Sequence, residues 1–331
     1  MRSSSIKSTI LSMGISVPSK VLTNIELEKI VNTSDSWITE RTGIKKRHIL
    51  KDGELISSHA IKASKEALER AKLSPKEINL IICATLTPDY LMPSLGILIQ
   101  EGVGAINAGA FDLSATCSGF LYALSIADQF IKNNPNWKIL IVGAEALSRK
   151  INWEDRSTCV LFGDGAGAVV VGKSSSPDKG IIDFILGSSS DNWSLLTLKG
   201  GGSCFAPFDK RLPPEDYFIK MQGREVFKVA VKTMERVALN LLERNGLTTQ
   251  DLDLLVPHQA NLRIIDFLRE RLKIPSEKVY VNIQKYGNTS AASIPIALYE
   301  AQEEGKLKDG ILTLSVAFGG SFTFGGVLMR W

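Results

Sequence analysis

The feature that most constrains the fold of this chain is an internal repeat. When the sequence is displaced by 174 residues, ALERAKLSPKEINLIICAT (67–85) aligns with LLERNGLTTQDLDLLVPHQ (241–259), and WKILIVGAEA (137–146) aligns with ILTLSVAFGG (311–320). FGDGAGAVVV (162–171) aligns with FGGSFTFGGV (318–327) at a displacement of only 156, which leaves an 18-residue excess in the first copy around RKINWEDRSTCVL. Three matches in the same order predict a duplicated structural unit.

Each copy alternates helical and strand patterns. Apolar residues recur at helical spacing over 58–71, 117–131, 227–244 and 262–272. The runs INLIICA, KILIVGA, LDLLVP and ILTLSVA are apolar throughout, which is typical of strands buried on both faces. We therefore predict an α/β fold of two layered halves, residues 1–175 and 176–331, packed about a pseudo-twofold axis. The Gly-, Ser- and Pro-rich stretch 200–214 is predicted to be a long loop.

Composition excludes several functional classes. Of the 331 residues, 44% are apolar and 22% are charged, which is average globular usage. No apolar run approaches the ~18 residues that a membrane span needs. The first apolar stretch is interrupted by Ser12 and Gly14, so we expect no signal peptide. The net charge of +4 is too small to predict a nucleic-acid-binding surface.

The cysteines indicate a reducing compartment. Cys83, Cys117, Cys159 and Cys204 lie tens of residues apart, with no C-x-x-C pair among them. We expect free thiols and a cytoplasmic location. The chain has three histidines, none beside a cysteine pair, so we expect no structural zinc or other metal site.

Cys117 is the strongest candidate nucleophile. In AFDLSATCSGFLYALSIADQFIK it follows an apolar strand and a turn and begins a predicted helix. The positive end of a helix dipole and its unpaired N–H groups lower the pKa of a thiol and favour the reactive thiolate. Alternatively, Cys117 is a buried structural cysteine, because free cysteine is among the residue types that are most often buried.

Two further side chains and a glycine-rich corner complete the candidate site. VPHQANLRI places His258 just after a buried strand, where ligands gather in open α/β sheets. Asn288 lies in the turn YGNTSAAS, three residues from the position that the repeat aligns with Cys117, although it could equally be a helix cap. AFGGSFTFGG offers backbone N–H groups of the kind that form oxyanion holes, or a plain hairpin.

These groups predict a reaction type. A thiolate can take up an acyl group as a thioester. His258 and Asn288 have no acidic neighbour in sequence, so they serve as two hydrogen-bond donors rather than as a strong base. Two donors aimed at one oxygen stabilise an enolate that forms when a malonyl group loses carbon dioxide, each worth roughly 3 kcal/mol. The inventory favours a decarboxylative Claisen condensation.

A family resemblance supports the same interpretation. TSDSWITERTGI, DLSATCSGF, FGDGAGAVVV, VPHQANLRI, YGNTSAAS and AFGGSFTFGG resemble, in order and spacing, the β-ketoacyl-acyl carrier protein synthases of type III. The resemblance extends from about Ile10 to Trp331. It implies a thiolase fold with five α-β-α-β-α layers, a homodimer and no cofactor. It also implies condensation of an acyl-CoA primer with malonyl-acyl carrier protein, which releases CoA and carbon dioxide and initiates fatty acid synthesis.

The resemblance also implies a role for each matching residue. Cys117 matches the acylated nucleophile, and His258 and Asn288 match the pair that binds the malonyl thioester carbonyl. The backbone N–H groups of Cys117 and Gly320 match the oxyanion hole, and Phe318 matches an aromatic side chain of the acyl site.

Substrate-binding roles follow in the same way. Trp37 and Arg156 match the pair that sandwiches the adenine of CoA, with Arg41 as a further CoA contact. Arg263 matches the residue that docks the acidic carrier protein, with Lys228 and Arg224 as companions. From the residues alone, Trp37 could be an ordinary core or surface aromatic and Arg263 part of a solvated helix face.

The chain departs from the family pattern at two positions. Ser321 stands where relatives have the last glycine of a triplet, which could shift the hairpin beside the site. Met92, in YLMPS, stands where many relatives have Phe, at the position that crosses the dimer interface and caps the partner's acyl pocket. Met is unbranched and adaptable, so we expect primers longer than acetyl to be tolerated.

Two other functions compete with the condensing enzyme. One is a related acyltransferase or a polyketide or quinolone condensing enzyme on the same scaffold, and the other is a CoA-binding scaffold without catalysis. Retention of His258 and Asn288 argues against a simple acyltransferase, and retention of Cys117 argues against the scaffold.

Overall fold

The computed structural model describes residues 6–331, so residues 1–5, the start of the predicted first half, lie outside the described residues. Its helices are α1 (Asn24–Leu27), α2 (Asp35–Thr42), α3 (Ile56–Ala71), α4 (Leu95–Val103), α5 (Gly119–Asn133), α6 (Arg156–Cys159), α7 (Gly223–Arg244), α8 (Leu262–Leu272), α9 (Ile283–Tyr286) and α10 (Ser293–Glu303). Its strands are β1 (Ser8–Ser16), β2 (Lys20–Thr23), β3 (Lys46–Ile49), β4 (Leu80–Ala84), β5 (Gly109–Leu113), β6 (Ile139–Ala146), β7 (Asp164–Lys173), β8 (Gly180–Ser188), β9 (Leu196–Thr197), β10 (Lys220–Met221), β11 (Leu254–Pro257), β12 (Leu312–Phe318) and β13 (Thr323–Arg330).

Two mixed sheets form the framework. The first has the strand order β1-β7-β6-β4-β5 and the second the order β11-β12-β13-β8. In the first, β4 runs parallel to β6, and β7 is antiparallel to both β6 and β1. In the second, β11 runs parallel to β12, and β13 is antiparallel to both β12 and β8. The order β4-β6-β7-β1 therefore recurs as β11-β12-β13-β8.

The sheets and helices form five layers. α3 and α4 pack on the outer face of the first sheet, through residues such as Ala63 and Ile99. α5 and α10 lie between the two sheets, where Phe120 and Leu298 share one apolar cluster with residues of both. α7 and α8 cover the outer face of the second sheet. Neighbouring residues of β4 alternate between layers, since Ile82 faces the central helices and Ile81 faces α3 and α4. The predicted α-β-α-β-α order is confirmed.

The predicted helices are present, with one informative difference at Cys117. This residue lies in a short 3-10 turn, Thr116–Ser118, that precedes α5, rather than at the first residue of the helix. A matching 3-10 turn, Ser290–Ala292, precedes α10. Each turn begins with a residue in the left-handed region, Thr116 at φ 48° and Ser290 at φ 49°. The two corners therefore have the same backbone form at the predicted displacement.

The extra length of the first copy lies between β6 and β7. Residues 147–163 form a 3-10 turn and α6 there, whereas β12 and β13 are joined by residues 319–322 alone. The stretch 200–214 is an irregular loop, as predicted. Within residues 6–331, no helix combines the length and apolar character needed to cross a membrane.

Candidate active site

One cavity of about 660 Å³ brings the predicted residues together. We call it the entrance cavity. Every site residue predicted from the sequence lines it except Met92; these residues are Trp37, Arg41, Cys117, Arg156, Arg224, Lys228, His258, Arg263, Asn288, Phe318 and Gly320. Residues 200 apart in sequence meet here because the carboxyl ends of β5, β11 and β12 lead into it from the two sheets.

Cys117 is fixed at its corner by close backbone packing. The Thr116 hydroxyl donates to the carbonyl oxygen of Gly320 at 2.7 Å, which joins the first corner to the glycine-rich turn. A Cβ added at Gly319 would lie 2.8 Å from the backbone nitrogen of Cys117, so this position requires glycine. The backbone N–H groups of Gly320 and Cys117 both lie near the thiol and act to lower its pKa. Two backbone N–H groups beside a nucleophile are the kind of donors from which oxyanion holes are built.

The expected direction of the Cys117 pKa shift was wrong. Burial raises the pKa of the thiol to about 11, and this effect outweighs the nearby N–H groups and the Ser290 hydroxyl. The negative charge of Glu145 raises the pKa of Cys117 further. A low-dielectric surrounding disfavours the charged form of any group, and local sequence does not reveal burial. The thiol therefore rests in its protonated form at neutral pH.

His258 is a neutral imidazole with a fixed orientation. It is 2% exposed, and burial lowers its pKa to about 3. Its Nδ1 lies 2.6 Å from the Oγ of Ser293, the first residue of α10. The Ser293 Oγ also accepts the Gln259 N–H at 3.5 Å. We assign the Ser293 hydroxyl as the donor to Nδ1. The imidazole proton then resides on Nε2, so His258 is a hydrogen-bond donor at that atom.

Asn288 presents the second donor. Its backbone N–H donates to the carbonyl of Leu161 at 2.8 Å, and its carbonyl accepts the N–H of Gly163 at 3.0 Å. The side-chain Oδ1 accepts the backbone N–H of Ser290 at 2.9 Å. Because the amide oxygen is engaged in this way, the NH₂ group is left to donate. The structure thus brings together two neutral donors and a thiol. The Asn288 Oδ1 also caps the 3-10 turn Ser290–Ala292, so the capping alternative and a donor role for the NH₂ group are compatible.

A second cavity, of about 430 Å³, begins at Cys117. We call it the acyl cavity. Its wall is mostly apolar and includes Leu86, Leu147, Phe162, Trp193, Leu196, Leu198 and Ile219. Phe318 does not line the acyl cavity; it lies in the wall of the entrance cavity. Its ring packs edge-on against that of Phe322, with 5.1 Å between the ring centroids. Cys117 and Gly320 line both cavities, so the thiol stands where they meet.

Two arginine side chains lie against the ring of Trp37. The guanidinium carbon of Arg156 lies 4.5 Å from the centroid of the Trp37 ring, and that of Arg41 lies 4.9 Å from it. Arg156 also donates to the carbonyl of Asn32 at 3.1 Å. A planar base between Trp37 and Arg156 would need a wider gap, so Arg156 has to swing away before such a base can stack there.

The mouth of the entrance cavity is basic. Arg224, Lys228 and Arg263 are exposed and line it from α7 and α8. Lys228 pairs with Glu225 at 3.0 Å, within the same helix. Exposed cations around an opening attract an acidic partner.

Met92 lies apart from the other predicted residues. Its side chain is 88% exposed, and it lines neither cavity of its own chain. Leu91 is equally exposed and Tyr90 is 51% exposed, so this segment presents an apolar surface outward.

Three polar residues at the site were missed in the sequence. Ser293 orients His258, Ser290 contacts the Cys117 thiol, and Glu145 lies buried behind Ser290. Only Glu145 carries a signal that could have found it, since an acid ends the apolar run KILIVGAEA. Within the described part of the chain, no three His, Cys, Asp or Glu side chains gather in a way that could bind a metal.

Comparisons with known proteins identify the family of the chain. Residues 111–190 match the family model described as 3-oxoacyl-[acyl-carrier-protein] synthase III, and residues 242–331 match the model of the C-terminal part of the same family. The chain is 53% identical to the β-ketoacyl-[acyl-carrier-protein] synthase III of Aquifex aeolicus over 322 residues, which cover 97% of this chain and 99% of the relative.

Solved structures give the same result. The crystal structure of the synthase III from Aquifex aeolicus VF5 superposes with a TM-score of 0.91 at 52% identity, covering 98% of this chain and all of the other. The priming β-ketosynthase of the R1128 polyketide pathway gives a TM-score of 0.90 at 36% identity, covering 100% of this chain and 98% of the other. The predicted thiolase fold is confirmed. The chain belongs to the 3-oxoacyl-[acyl-carrier-protein] synthase III family and is a condensing acyltransferase.

Proposed function

We propose that this chain joins an acyl-CoA primer to malonyl-acyl carrier protein by decarboxylative Claisen condensation and so initiates fatty acid synthesis. The observation that carries the proposal is the junction of the two cavities at Cys117. An apolar cavity for the primer meets a cavity that contains two neutral donors, the nucleophile and a basic mouth.

The first half-reaction acylates Cys117. The sulfur attacks the thioester carbonyl of the primer, and the backbone N–H groups of Cys117 and Gly320 stabilise the oxyanion that forms. CoA leaves, and the acyl chain occupies the acyl cavity. The product is an acyl-Cys117 thioester, which gives the reaction a ping-pong order.

The second half-reaction uses His258 and Asn288. The His258 Nε2–H and the Asn288 amide NH₂ donate to the thioester carbonyl of the malonyl group. Loss of carbon dioxide leaves an enolate whose charge both donors stabilise, and its carbon attacks the acyl-Cys117 carbonyl. A neutral imidazole suits this role because no proton has to be removed from carbon, and the proposal involves neither a cofactor nor a metal.

Substrate recognition is assigned to the entrance cavity. Trp37, Arg41 and Arg156 are proposed to bind the adenine end of CoA, with Arg156 moving off the Trp37 ring to admit the base. Arg263, Lys228 and Arg224 are proposed to dock the acidic carrier protein, which would deliver its malonyl group through the same opening. Use of one opening by both substrates would fit the ping-pong order, in which they bind in turn.

Assembly and location complete the proposal. We propose a homodimer, supported by the edge position of β5 and by the exposed side chains of Tyr90, Leu91 and Met92. In that dimer Met92 caps the acyl cavity of the partner. The division into halves 1–175 and 176–331 is supported by the recurring strand order. A cytoplasmic location, predicted from the scattered cysteines, also belongs to the proposal.

The alternative functions are less well supported. A polyketide-priming enzyme would share the condensation chemistry, but identity to the R1128 enzyme is 36%, against 53% to the Aquifex aeolicus synthase. A CoA-binding scaffold or simple acyltransferase would have no use for the orientation of His258 by Ser293.

The test is condensation itself. The protein is incubated with radiolabelled acetyl-CoA and malonyl-acyl carrier protein, and labelled β-ketoacyl-carrier protein should form. Product should vanish with Cys117→Ser, and it should fall sharply with His258→Ala while Cys117 still becomes acylated. Acylation without condensation in the wild-type protein would instead favour the acyltransferase.

A further inference from the structure

The glycine-rich turn beside Cys117 contains two consecutive glycines. β12 ends at Phe318 and β13 begins at Thr323, so residues 319–322 form the whole connection. Glycine has access to more backbone conformations than any other residue, and a peptide between two glycines is therefore the easiest to reorient. The N–H of Gly320, which the proposed function assigns to the oxyanion hole, belongs to such a peptide. Its direction has to be fixed by contacts from outside the turn.

Hydrogen bonds hold the chain on both sides of this peptide. On one side, the Gly319 N–H donates to the carbonyl oxygen of Thr323 at 2.9 Å. On the other side, the carbonyl oxygen of Gly320 accepts the Thr116 hydroxyl at 2.7 Å. A carbonyl oxygen can only accept, so the hydroxyl is the donor of this bond. The peptide thus lies between one anchor from its own hairpin and one from the corner that carries the nucleophile.

Neighbouring hydroxyls leave the Thr116 proton available for this bond. The Thr323 hydroxyl lies 2.8 Å from the Ala115 carbonyl oxygen but 3.4 Å from that of Gly320. The Ser118 hydroxyl lies 2.8 Å from both the Ala115 carbonyl oxygen and Thr323 Oγ1. Each hydroxyl is satisfied when Ser118 donates to Thr323, and Thr323 donates to Ala115. Thr116 is then the donor that holds the Gly320 carbonyl.

The backbone on both sides of this bond is strained. Thr116 has φ 48°, in the left-handed region, where a β-branched residue is rarely found. Ser321 and Phe322, which follow Gly320, are also left-handed, at φ 57° and 53°. A Cβ added at Gly319 would lie 2.2 Å from Thr116 Oγ1, so the hydroxyl fills the space beside that glycine. Such conformations persist where surrounding contacts enforce them, and they cluster at functional sites.

We propose that Thr116 is a positioning residue for the oxyanion hole. Its hydroxyl holds the Gly320 carbonyl and thereby keeps the Gly320 N–H directed at the thioester carbonyl that Cys117 attacks. The inference rests on the proposed function. Without the hydroxyl, the peptide between the two glycines can turn, and a donor stabilises an oxyanion only when it is already aimed at the atom where charge develops. The loss then falls on the transition state and not on substrate binding.

The competing interpretation is structural. Thr116 could serve only to join the corner to the hairpin, in which case its loss disturbs every reaction of Cys117. Two reactions at the same sulfur separate the interpretations. Acylation by acetyl-CoA passes through an oxyanion, whereas alkylation by iodoacetamide displaces iodide from a saturated carbon and forms none. A positioning role affects the first reaction and spares the second.

The experiment measures single-turnover acylation of Cys117 over a range of acetyl-CoA concentrations, with intact-protein mass spectrometry as the readout. Thr116→Val keeps the shape of the side chain without the hydroxyl, and its maximal rate should be roughly 10- to 100-fold lower, a smaller effect than removal of a donor has. The acetyl-CoA concentration at half-maximal rate should change less than about threefold. Thr116→Ser keeps the hydroxyl and should retain most of the wild-type rate.

The matched control is Thr313→Val. Thr313 is a buried threonine near the start of β12, and its hydroxyl donates to the Met329 carbonyl at 3.2 Å. This variant should acylate at the wild-type rate. Thr116→Ala compared with Thr116→Ser repeats the test without a β-branched residue, so the inference stays testable if valine prevents folding at this position.

Alkylation by iodoacetamide is measured on the same variants. Peptide mapping distinguishes Cys117 from Cys204, which is an exposed free thiol. The alkylation rate of Cys117 should be the same in Thr116→Val, Thr116→Ala and the wild type.

Three results would overturn the inference without touching the proposed function. They are a wild-type acylation rate in Thr116→Val or Thr116→Ala, an equal loss of acylation and alkylation, and a Thr116→Ser rate as low as that of Thr116→Ala. A wild-type protein that iodoacetamide alkylates at Cys117 but that acetyl-CoA never acylates would overturn the proposed function itself.

Discussion

The hydrogen bond between Ser293 and His258 is proposed to set the tautomer of the imidazole, and the variant Ser293→Ala tests this role. Ser293→Ala deletes the hydroxyl that lies 2.6 Å from Nδ1. The imidazole can then carry its proton on either nitrogen, and in the Nδ1–H form a lone pair faces the malonyl carbonyl. A buried hydrogen bond of this kind contributes about 1–1.5 kcal/mol, so decarboxylation should slow roughly 10-fold.

Deletion of the donor itself should cost more. His258→Ala removes one of the two groups that stabilise the enolate, and loss of a single such donor lowers turnover about 10²- to 10³-fold. The rate of decarboxylation should therefore be lowest in His258→Ala, intermediate in Ser293→Ala and highest in the wild type. The donor is absent in the first variant and only misoriented in the second. Acylation of Cys117 by acetyl-CoA should change little in Ser293→Ala, because Ser293 contacts His258 and not the thiol.

The pH dependence has a defined sign. Burial lowers the pKa of His258 to about 3, so the neutral form predominates at every pH above that value. Decarboxylation should therefore show no inflection near 6.5, the ordinary pKa of histidine, between pH 5.5 and 8. In stability terms, a lowered histidine pKa favours the folded state above pH 6.5, and this contribution is lost as the pH falls from 6.5 to 3.

The assay measures labelled carbon dioxide released from malonyl-acyl carrier protein. Ser125→Ala is the matched control, because Ser125 is a buried serine of α5 whose hydroxyl donates to the Leu121 carbonyl of its own helix. A full rate in Ser293→Ala would refute the tautomer argument. A wild-type inflection near pH 6.5 that disappears in His258→Ala would refute the neutral imidazole.

Further predictions concern other parts of the site. Ser321 lies at φ 57°, ψ 8°, a left-handed conformation that costs a non-glycine residue about 1–2 kcal/mol. Ser321→Gly should therefore raise the free energy of unfolding, measured in urea titrations, by about 0.5–1 kcal/mol. The control variant Ser203→Gly, at an exposed position, should lower the free energy of unfolding. Met92→Phe should shift the preference of acylation rates across a ladder of acyl-CoAs toward acetyl, and an unchanged preference would contradict the capping role. Arg263→Glu should raise the KM for malonyl-acyl carrier protein about 10-fold at low salt without slowing acylation by acetyl-CoA. Lys76→Glu, at an exposed position before β4 that lines neither cavity, should leave both unchanged. Glu145 has a pKa raised by burial to about 7, so wild-type stability relative to Glu145→Gln should be greatest below about pH 4.5 and should fall by about 3 kcal/mol as the pH rises to 7, measured by unfolding at each pH.

Much of the fold could be predicted from the sequence, because both copies of the repeat indicate the same order of strands and helices. Continuous apolar strands and helical spacing gave the elements, and the displacement of 174 residues placed Cys117 and Ala291 at equivalent corners. The convergence of Cys117, His258 and Asn288 followed, because strand ends of an α/β layer meet at one edge.

What escaped prediction depends on tertiary surroundings. The pKa of Cys117 is set by burial, which no local pattern shows, so the helix-terminus argument gave the wrong sign. Ser290 and Glu145 meet only because β6 packs on the second corner, although they lie far apart in sequence. Arg156 covers Trp37 in this conformation, a rotamer choice that a motif cannot report.

The two matching corners have a consequence for the symmetry of the site. Cys117 comes from the first copy of the unit, whereas His258, Asn288 and Gly320 come from the second. Two associated copies of one unit would carry identical residues at both corners. Because both corners here belong to one chain, each can carry its own residues, so that the nucleophile of one half faces the donors of the other.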